Sequence, residues 1–400
     1  MWSAETISVV GSQFSNVAIP VLAVEVLAAT TFQVGVLNAL SLLAFPLFGL
    51  LVGVWADRHR KRPTMIAADL GRMFLLGLIP LSAVLFSVSM PLLYFVSFFV
   101  GLLQTFFDIS YQAYLPYLVR GDQLVEGNSR LTTTRSAASV IGPSLAGVAI
   151  QLIGAPMAIL GDVFGYLGSA SFLSWIKRPE AKPVPRKSNV LYDIKEGLGV
   201  VLKTKNLRAI ALCTGTSNLF NNAFNVVALI LMLRLLGFTP AEYGTVLAVG
   251  GAGSVLAALV VMRFVRRVGV GRSILIGSFV SGMAYVLVYF AEPEYAFPLI
   301  AAVYFTSFFG VVVYNVAQVS YRQALVPLEL QGRMNASIRV LVWGPIPVGA
   351  FLGGVLGTFL GVRESVLITA IGLSLAFLWV FFSPVRSVKE IPERETDRKA

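Results

Sequence analysis

The sequence predicts an all-α membrane protein of twelve transmembrane helices arranged as two six-helix halves. Composition, run length and the placement of basic residues carry this reading. Of 400 residues, 56% are apolar and 13% charged, with a mean hydropathy of +0.80. Soluble domains carry roughly a quarter charged residues, and a bilayer, unlike a soluble core, can cover this much apolar surface. Twelve apolar runs reach the ~20 residues a helix needs to cross the hydrocarbon. The net charge of +11 would suggest nucleic acid in a soluble chain. Here the basic residues sit in short loops between the runs, where they report orientation, and no nucleic-acid partner is expected.

In chain order the runs cover 6–29, 33–56, 64–87, 91–113, 133–154, 156–176, 208–235, 242–264, 272–290, 295–320, 334–359 and 364–384. Turn chemistry or charge separates them, as at Asp57 to Pro63, Met90-Pro91, Gly154-Ala155-Pro156 and Gly237-Phe238-Thr239-Pro240. Barrel strands are excluded, because the runs are twice too long for them and do not alternate. The first run begins near Thr6 with no basic segment before it and continues to spanning length, so no cleavable leader is expected. A single cysteine, Cys213, permits no intrachain disulfide.

With the N-terminus inside, all of the 31 basic residues except Arg234 and Arg363 fall in inner loops, the adjoining helix ends or the tail. The inverted arrangement would violate the positive-inside rule almost everywhere. Both termini are therefore expected in the cytoplasm, in a bacterial inner membrane. The organisation reads as an N-terminal half (1–176), a linker (177–206), a C-terminal half (207–385) and a tail (386–400). The linker opens Pro-rich (Pro179, Pro183, Pro185), and from Val190 to Leu202 its apolar residues recur at helical spacing, as in an interfacial amphipathic helix. The halves echo each other, with Asn128 and Gly142-Pro143 in one and Asn335 and Gly344-Pro345 in the other. Repeated halves around a cavity are a common transporter plan.

After the second run comes Gly49-Leu-Leu-Val-Gly53-Val-Trp-Ala-Asp57-Arg58-His-Arg60-Lys61-Arg62. A small residue, an aspartate four positions on and a basic cluster resemble the loop motif of the major facilitator superfamily. Arg60 stands where that motif usually has glycine, and the C-terminal half keeps only Arg263, Arg266 and Arg267. The stretches Ile66 to Arg72, Phe107-Asp108 to Pro116, Asn128-Ser-Arg-Leu, Ile141-Gly142-Pro143 to Gly147 and Asp162 to Tyr166 resemble the branch containing bacterial macrolide-efflux and enterobactin-export proteins. The likeness covers residues 1 to about 385. It implies a rocker-switch exporter driven by proton motive force. Gly142, Pro143 and Gly147 on span 5 resemble the antiporter-associated helix motif, with Ala138 and Ala146 where glycines are usual; small residues there also serve close helix packing in any bundle.

Several polar residues are candidates for the transport chemistry. Gly53, Asp57, Arg58 and Lys61 read as a cytoplasmic latch, with the Asp57 charge set against the N-terminal end of a neighbouring helix. By family analogy that helix is the eleventh. Asp108, in the inner third of span 4, needs a partner, because a lone charge there costs about 2.5–3.5 kcal/mol on insertion scales; Lys61, Arg60 or Arg135 could supply it and join it to the gate. Glu25 and Asp162 are proton-coupling candidates, since an acid inside a membrane protein is costly to hold charged. The bland reading of Asp162 is a packing hydrogen bond, and of Glu25 a side chain reaching the outer interface. Thr214, Asn218, Asn221 and Asn225 form one polar face of span 7, with Asn222 beside it. With Gln13 and Asn16 on span 1 and Tyr314 and Gln318 on span 10, they read as the lining of a substrate cavity; the alternative is interhelical hydrogen bonding. The sequence contains no metal-ligand cluster, nucleophile triad or phosphate loop. Neither an enzyme nor an ATP-driven pump is expected, and no cofactor or metal. The expected partners are a small-molecule substrate, protons and the bilayer, and the expected oligomeric state is a monomer. An importer or uniporter on the same fold, or a sensor that has lost transport, are the competing readings.

The topology is directly testable. Reporter fusions after Arg62, Pro185 and Arg394 should read cytoplasmic, and fusions near Thr31, Pro91 and Glu294 external. A reversal at one inner position would break the twelve-span reading, because every later helix would flip.

Overall fold

The computed structural model describes residues 2–118, 121–176, 180, 198–199, 201–326 and 328–390, without the side chains at 50, 57, 115–118, 121–130, 328–333, 335 and 336. Among the described residues, twelve helices are long and apolar enough to cross a membrane. They are α1 (Trp2–Val26), α2 (Thr31–Arg58), α3 (Lys61–Leu85), α4 (Met90–Leu118), α5 (Gly121–Ile153), α6 (Ala155–Ser174), α7 (Lys205–Leu235), α8 (Pro240–Val268), α9 (Val270–Phe290), α10 (Ala296–Leu325), α11 and α12 (Val362–Phe381). The eleventh, α11, comprises Leu328–Trp343 and Pro345–Phe359 on either side of Gly344. Helices are the spanning element because each satisfies its own backbone N–H and C=O groups where no water can. The amphipathic helix expected at 190–202 and the tail beyond 390 lie outside the described residues, apart from 198–199 and 201–202.

Two compact units partition the chain: Met1–Lys187 with Leu229–Ala248, and Ser188–Ala228 with Val249–Ala400. In the first, α1 packs between α5 and α6, α3 against α4 and α6, and α2 against α4. In the second, α9 packs against α10 and α12, and Val201, at the end of the linker, is buried among Leu207, Ala211, Met334 and Ile338.

Inside the first unit the ends of α1 and α7 repeat one another. Each closes on a π-turn, with Leu27 N–H donating to Leu22 O at 3.1 Å and Leu236 N–H to Leu231 O at 2.9 Å. Each then turns through a left-handed residue, Ala28 (φ 49°) or Gly237 (φ 71°). Each next helix starts on a threonine in a reciprocal capping box: Thr30 with Gln33, and Thr239 with Glu242. The equivalent positions between these signals carry opposite charges, Glu25 and Arg234. Arg234 donates to Val24 O at 2.8 Å, tying the two ends together.

The same unit holds the span 5 motif. A Cβ at Gly147 would lie 2.4 Å from Pro240 O, and one at Gly244 would lie 2.2 Å from Pro143 O. Only glycine lets α5 and the first part of α8 approach this closely. Gly244→Val should therefore lower the unfolding temperature of the purified protein, with an overpacking cost of about 1–3 kcal/mol. Gly77→Ala, where a Cβ meets no described atom within 4 Å, should hold or raise it. Equal behaviour of the two variants would contradict the close packing.

Candidate functional site

The first unit encloses a chain of charged and polar side chains centred on Arg72. This guanidinium is 1% exposed. Asp69, three residues earlier on the same helix, pairs with its Nη2, and Gln104 of α4 accepts from its Nη1. Its flat faces lie over the rings of Phe107, at 4.6 Å, and Tyr166, at 4.1 Å. Asp69 is fully buried and accepts a second hydrogen bond from the Ser169 hydroxyl of α6 at 2.7 Å. Gln104 donates its amide to Asp108 Oδ1 at 2.9 Å. One planar cation thus joins α3, α4 and α6, which the bidentate geometry of arginine suits and lysine's point charge does not.

A second pair lies at the α1–α5 contact. Glu5 is buried, and Arg135 donates to its Oε1 at 2.6 Å and 3.1 Å from a half-exposed position. Asp162, at the start of α6, is 1% exposed, and its Oδ1 has no hydrogen-bond partner. Gly11 of α1 packs directly on it: a Cβ there would lie 3.2 Å from Oδ1. Asp162 also lines a cavity of about 350 Å³ within this unit, bounded by α1, α2, α4 and α6. Asn16 is on the cavity wall; Gln13 is not among its lining residues and packs instead where a Cβ on Gly142 would go.

The loop between α2 and α3 folds on itself. Lys61 donates Nζ to Ala56 O at 2.6 Å and His59 O at 2.9 Å. Glu180 accepts from the Lys61 and Arg62 backbone N–H groups, so a carboxylate caps the positive end of α3. Asp57 lies in the last turn of α2, with its side chain outside the description, and Arg58 is exposed. A Cβ on Gly53 would meet no described atom within 4 Å. Lys61 and Arg135 thus each have partners other than Asp108, whose hydrogen bond is to Gln104. Glu25 is exposed in the π-turn of α1.

In the second unit the α7 asparagines are hydrogen-bonded to α11 and along α7 itself. Asn218 donates to Val342 O of α11 at 2.8 Å, Asn222 to Asn218 O at 2.8 Å and Asn225 to Asn221 Oδ1 at 3.1 Å. Tyr314 shares a 2.6 Å hydrogen bond with Thr214. Gln318 donates to Asn315 at 3.4 Å, while its buried Oε1 has no partner. Among the described residues no cluster of three or more His, Cys, Asp or Glu could hold a metal ion. Sequence reasoning did not single out Glu5, Asp69, Arg72 or Gln104 as site residues. The available signals were the i, i+3 spacing of Asp69 and Arg72, the i, i+4 spacing of Gln104 and Asp108, and the presence of charge inside apolar runs.

Twelve spanning helices in two six-helix halves, with buried charge in the bundle, define a membrane transporter of the major facilitator fold. The chain belongs to the transmembrane secretion effector family of this superfamily, whose model matches residues 1–398. It is 25% identical over 227 residues to macrolide efflux protein A of Streptococcus pyogenes and to the same protein of a serotype M6 strain. That match covers 55% of this chain and 54% of each relative, so the chain spans about half the length of the curated relatives it matches. Its fold is similar to a bacterial homologue of the iron transporter ferroportin, at TM-score 0.76 and 17% identity over 95% of this chain and 97% of that one. It is also similar to a bacterial homologue of the human lysosomal transporter Spinster (TM-score 0.74, 13% identity, 98% of both chains). A nucleoside transporter matches at TM-score 0.71 and 13% identity over 95% of this chain and 99% of that one. At these identities the likeness is one of fold.

Breaking a buried ion pair by removing one partner costs about 3–5 kcal/mol. Arg72→Met should therefore lower the unfolding temperature sharply, and Arg72→Lys should recover only part of the loss, because an ammonium cannot serve Asp69, Gln104 and two ring faces together. A lysine variant as stable as the wild type would contradict the account of Arg72.

Proposed function

We propose that the chain is a proton-coupled secondary exporter of small amphiphilic molecules, of antibiotic or siderophore type, working by alternating access in a bacterial inner membrane with both termini cytoplasmic. The observation that carries this reading is a charge inventory. Four carboxylates in the first unit, on Glu5, Asp69, Asp108 and Asp162, face two guanidiniums, on Arg72 and Arg135. Glu5 with Arg135 and Asp69 with Arg72 are matched pairs, which leaves two acids without a cation of their own. An unmatched carboxylate in a membrane protein stays charged only at a cost of several kcal/mol, so it takes up a proton when it is closed off and releases one when wetted. Asp162 is the proton carrier in this scheme, with Glu25 a second candidate at the outer end of α1.

The remaining roles are assigned from the sequence pattern and the family resemblance. Gly53, Asp57, Arg58 and Lys61 form the cytoplasmic latch, coupled through Asp108 and Arg135 to the charge chain. Gly142, Pro143 and Gly147 form a packing surface that α8 can press on and leave. Asn218, Asn221, Asn222, Asn225, Tyr314 and Gln318, with Gln13 and Asn16, supply neutral hydrogen bonds to the substrate. The family relationship and the distant likeness to a macrolide efflux protein favour export and an antibiotic-sized substrate.

Everted vesicles or proteoliposomes holding the protein should accumulate a radiolabelled macrolide when the lumen is acidified, and an uncoupler should abolish the accumulation. Asp162→Asn should keep downhill equilibration of the label and lose the gradient-driven component. Accumulation that survives the uncoupler would sink the proton-coupled reading.

A further inference from the structure

The cavity beside Asp162 has a chemical polarity that the charge inventory alone does not reveal. Its wall carries Ser12 on α1 and Asn38 and Ser41 on α2. Each of these side chains spends a donor hydrogen on its own helix: Ser12 on Val9 O at 2.9 Å, Asn38 on Val34 O at 3.0 Å and Ser41 on Asn38 O at 2.8 Å. The two hydroxyl oxygens and the Asn38 Oδ1 are left as acceptors. Asp162 adds a carboxylate whose Oδ1 is unpartnered, with the Ser15 hydroxyl, also on the wall, facing that carboxylate as a donor. Alongside the remaining amide donors of Asn16 and Asn38, the wall therefore offers acceptor oxygens and one negative charge.

The neighbouring cation does not cancel that charge. Arg72 lies within electrostatic range of Asp162, but its Nη groups are committed to Asp69 and Gln104. A metal ion is a poor fit, since one carboxylate amid hydroxyls and an amide is a weak donor set and no three-residue ligand cluster exists among the described residues. A protonated amine fits both requirements at once. It brings a positive charge for Asp162 and N–H donors for the acceptor oxygens, and about 350 Å³ admits an amine head with its adjoining carbons.

We propose that this cavity is the recognition subsite for a protonated amine on the transported molecule, with the Asp162 carboxylate as its counter-ion and the oxygens of Ser12, Asn38 and Ser41 as acceptors. The proposal rests on the reading of the chain as a transporter of small amphiphilic molecules and narrows it to amphiphilic amines. It places amine recognition inside the first unit.

The test reads binding, so it does not depend on export or on proton coupling. Purified full-length protein in detergent is titrated with monodansylcadaverine, whose terminal amine is charged at neutral pH, and with its uncharged N-acetyl form, by dansyl fluorescence. The wild type should bind the amine at least about tenfold more tightly than the acetylated probe, and Asp162→Asn should remove that preference, as loss of a charge-assisted contact implies. Should Asp162→Asn fail to fold, Ser41→Leu, which fills the wall without touching the carboxylate, should weaken amine binding by a similar factor. In a Cys213→Ser background, Ser12→Cys should also be protected by the amine from a water-soluble maleimide. Equal affinity for both probes in the wild type, or an undiminished amine preference in a folded Asp162→Asn or Ser41→Leu protein, would overturn the proposal. Amine-selective binding without proton-driven flux would instead overturn the coupling scheme and leave this subsite standing.

Discussion

The rest of the first unit is arranged around one buried guanidinium. Taking a charge of that size out of water costs several kcal/mol even after relaxation, so Arg72 can persist at 1% exposure only if its surroundings answer it nearly completely. Asp69 supplies the counter-charge, Gln104 a neutral acceptor, and Phe107 and Tyr166 two ring faces. Because these come from α3, α4 and α6, satisfying the charge fixes three helices that have no hydrophobic reason to choose one another in lipid. Ser169 and Asp108 sit one hydrogen bond further out, on Asp69 and Gln104. The network is thus a structural clamp made of charged and polar side chains.

A clamp would need only as many acids as bases. The network of Glu5, Asp69, Asp108 and Asp162 with Arg72 and Arg135 holds more acids, and the surplus has a place: Asp108 at the neutral end of the Gln104 relay and Asp162 beside a cavity. A surplus carboxylate in such a setting has two ways to be neutralised, by a proton or by a cationic ligand. Where one acid serves both, binding one displaces the other, and that exchange is the thermodynamic core of an antiporter. The proposed subsite and the proposed proton coupling are linked through Asp162 in this way, although each can fail without the other.

The architecture was legible in the sequence because hydrocarbon thickness sets a length that local composition can report. The runs at 6–29 and 272–290 map onto α1 and α9 within a few residues. The site was legible only where its partners are close in sequence. Asp69 and Arg72 are one turn apart, as are Gln104 and Asp108, whereas Glu5 finds Arg135 only through the packing of α1 on α5. Asp108 was expected to meet Lys61, Arg60 or Arg135 because a buried acid calls for a cation. The hydrogen bond goes to an amide that relays Arg72, and Lys61 instead closes its own loop on Ala56 O and His59 O. The asparagine spacing on α7 is the same for a wet wall and for interhelical bonding, so pattern alone could not separate them. The cavity beside Asp162 was out of reach because its wall gathers residues of α1, α2, α4 and α6 that only packing brings together.

The central claim is that a surplus buried carboxylate holds a proton until a cation replaces it. Calorimetric titration of the purified protein with monodansylcadaverine, in buffers of differing ionisation enthalpy at one pH, counts the protons exchanged on binding. The account predicts release of about one proton per amine bound, by linkage at a site shared between them, and none from Asp162→Asn. A binding heat independent of the buffer in the wild type would contradict it.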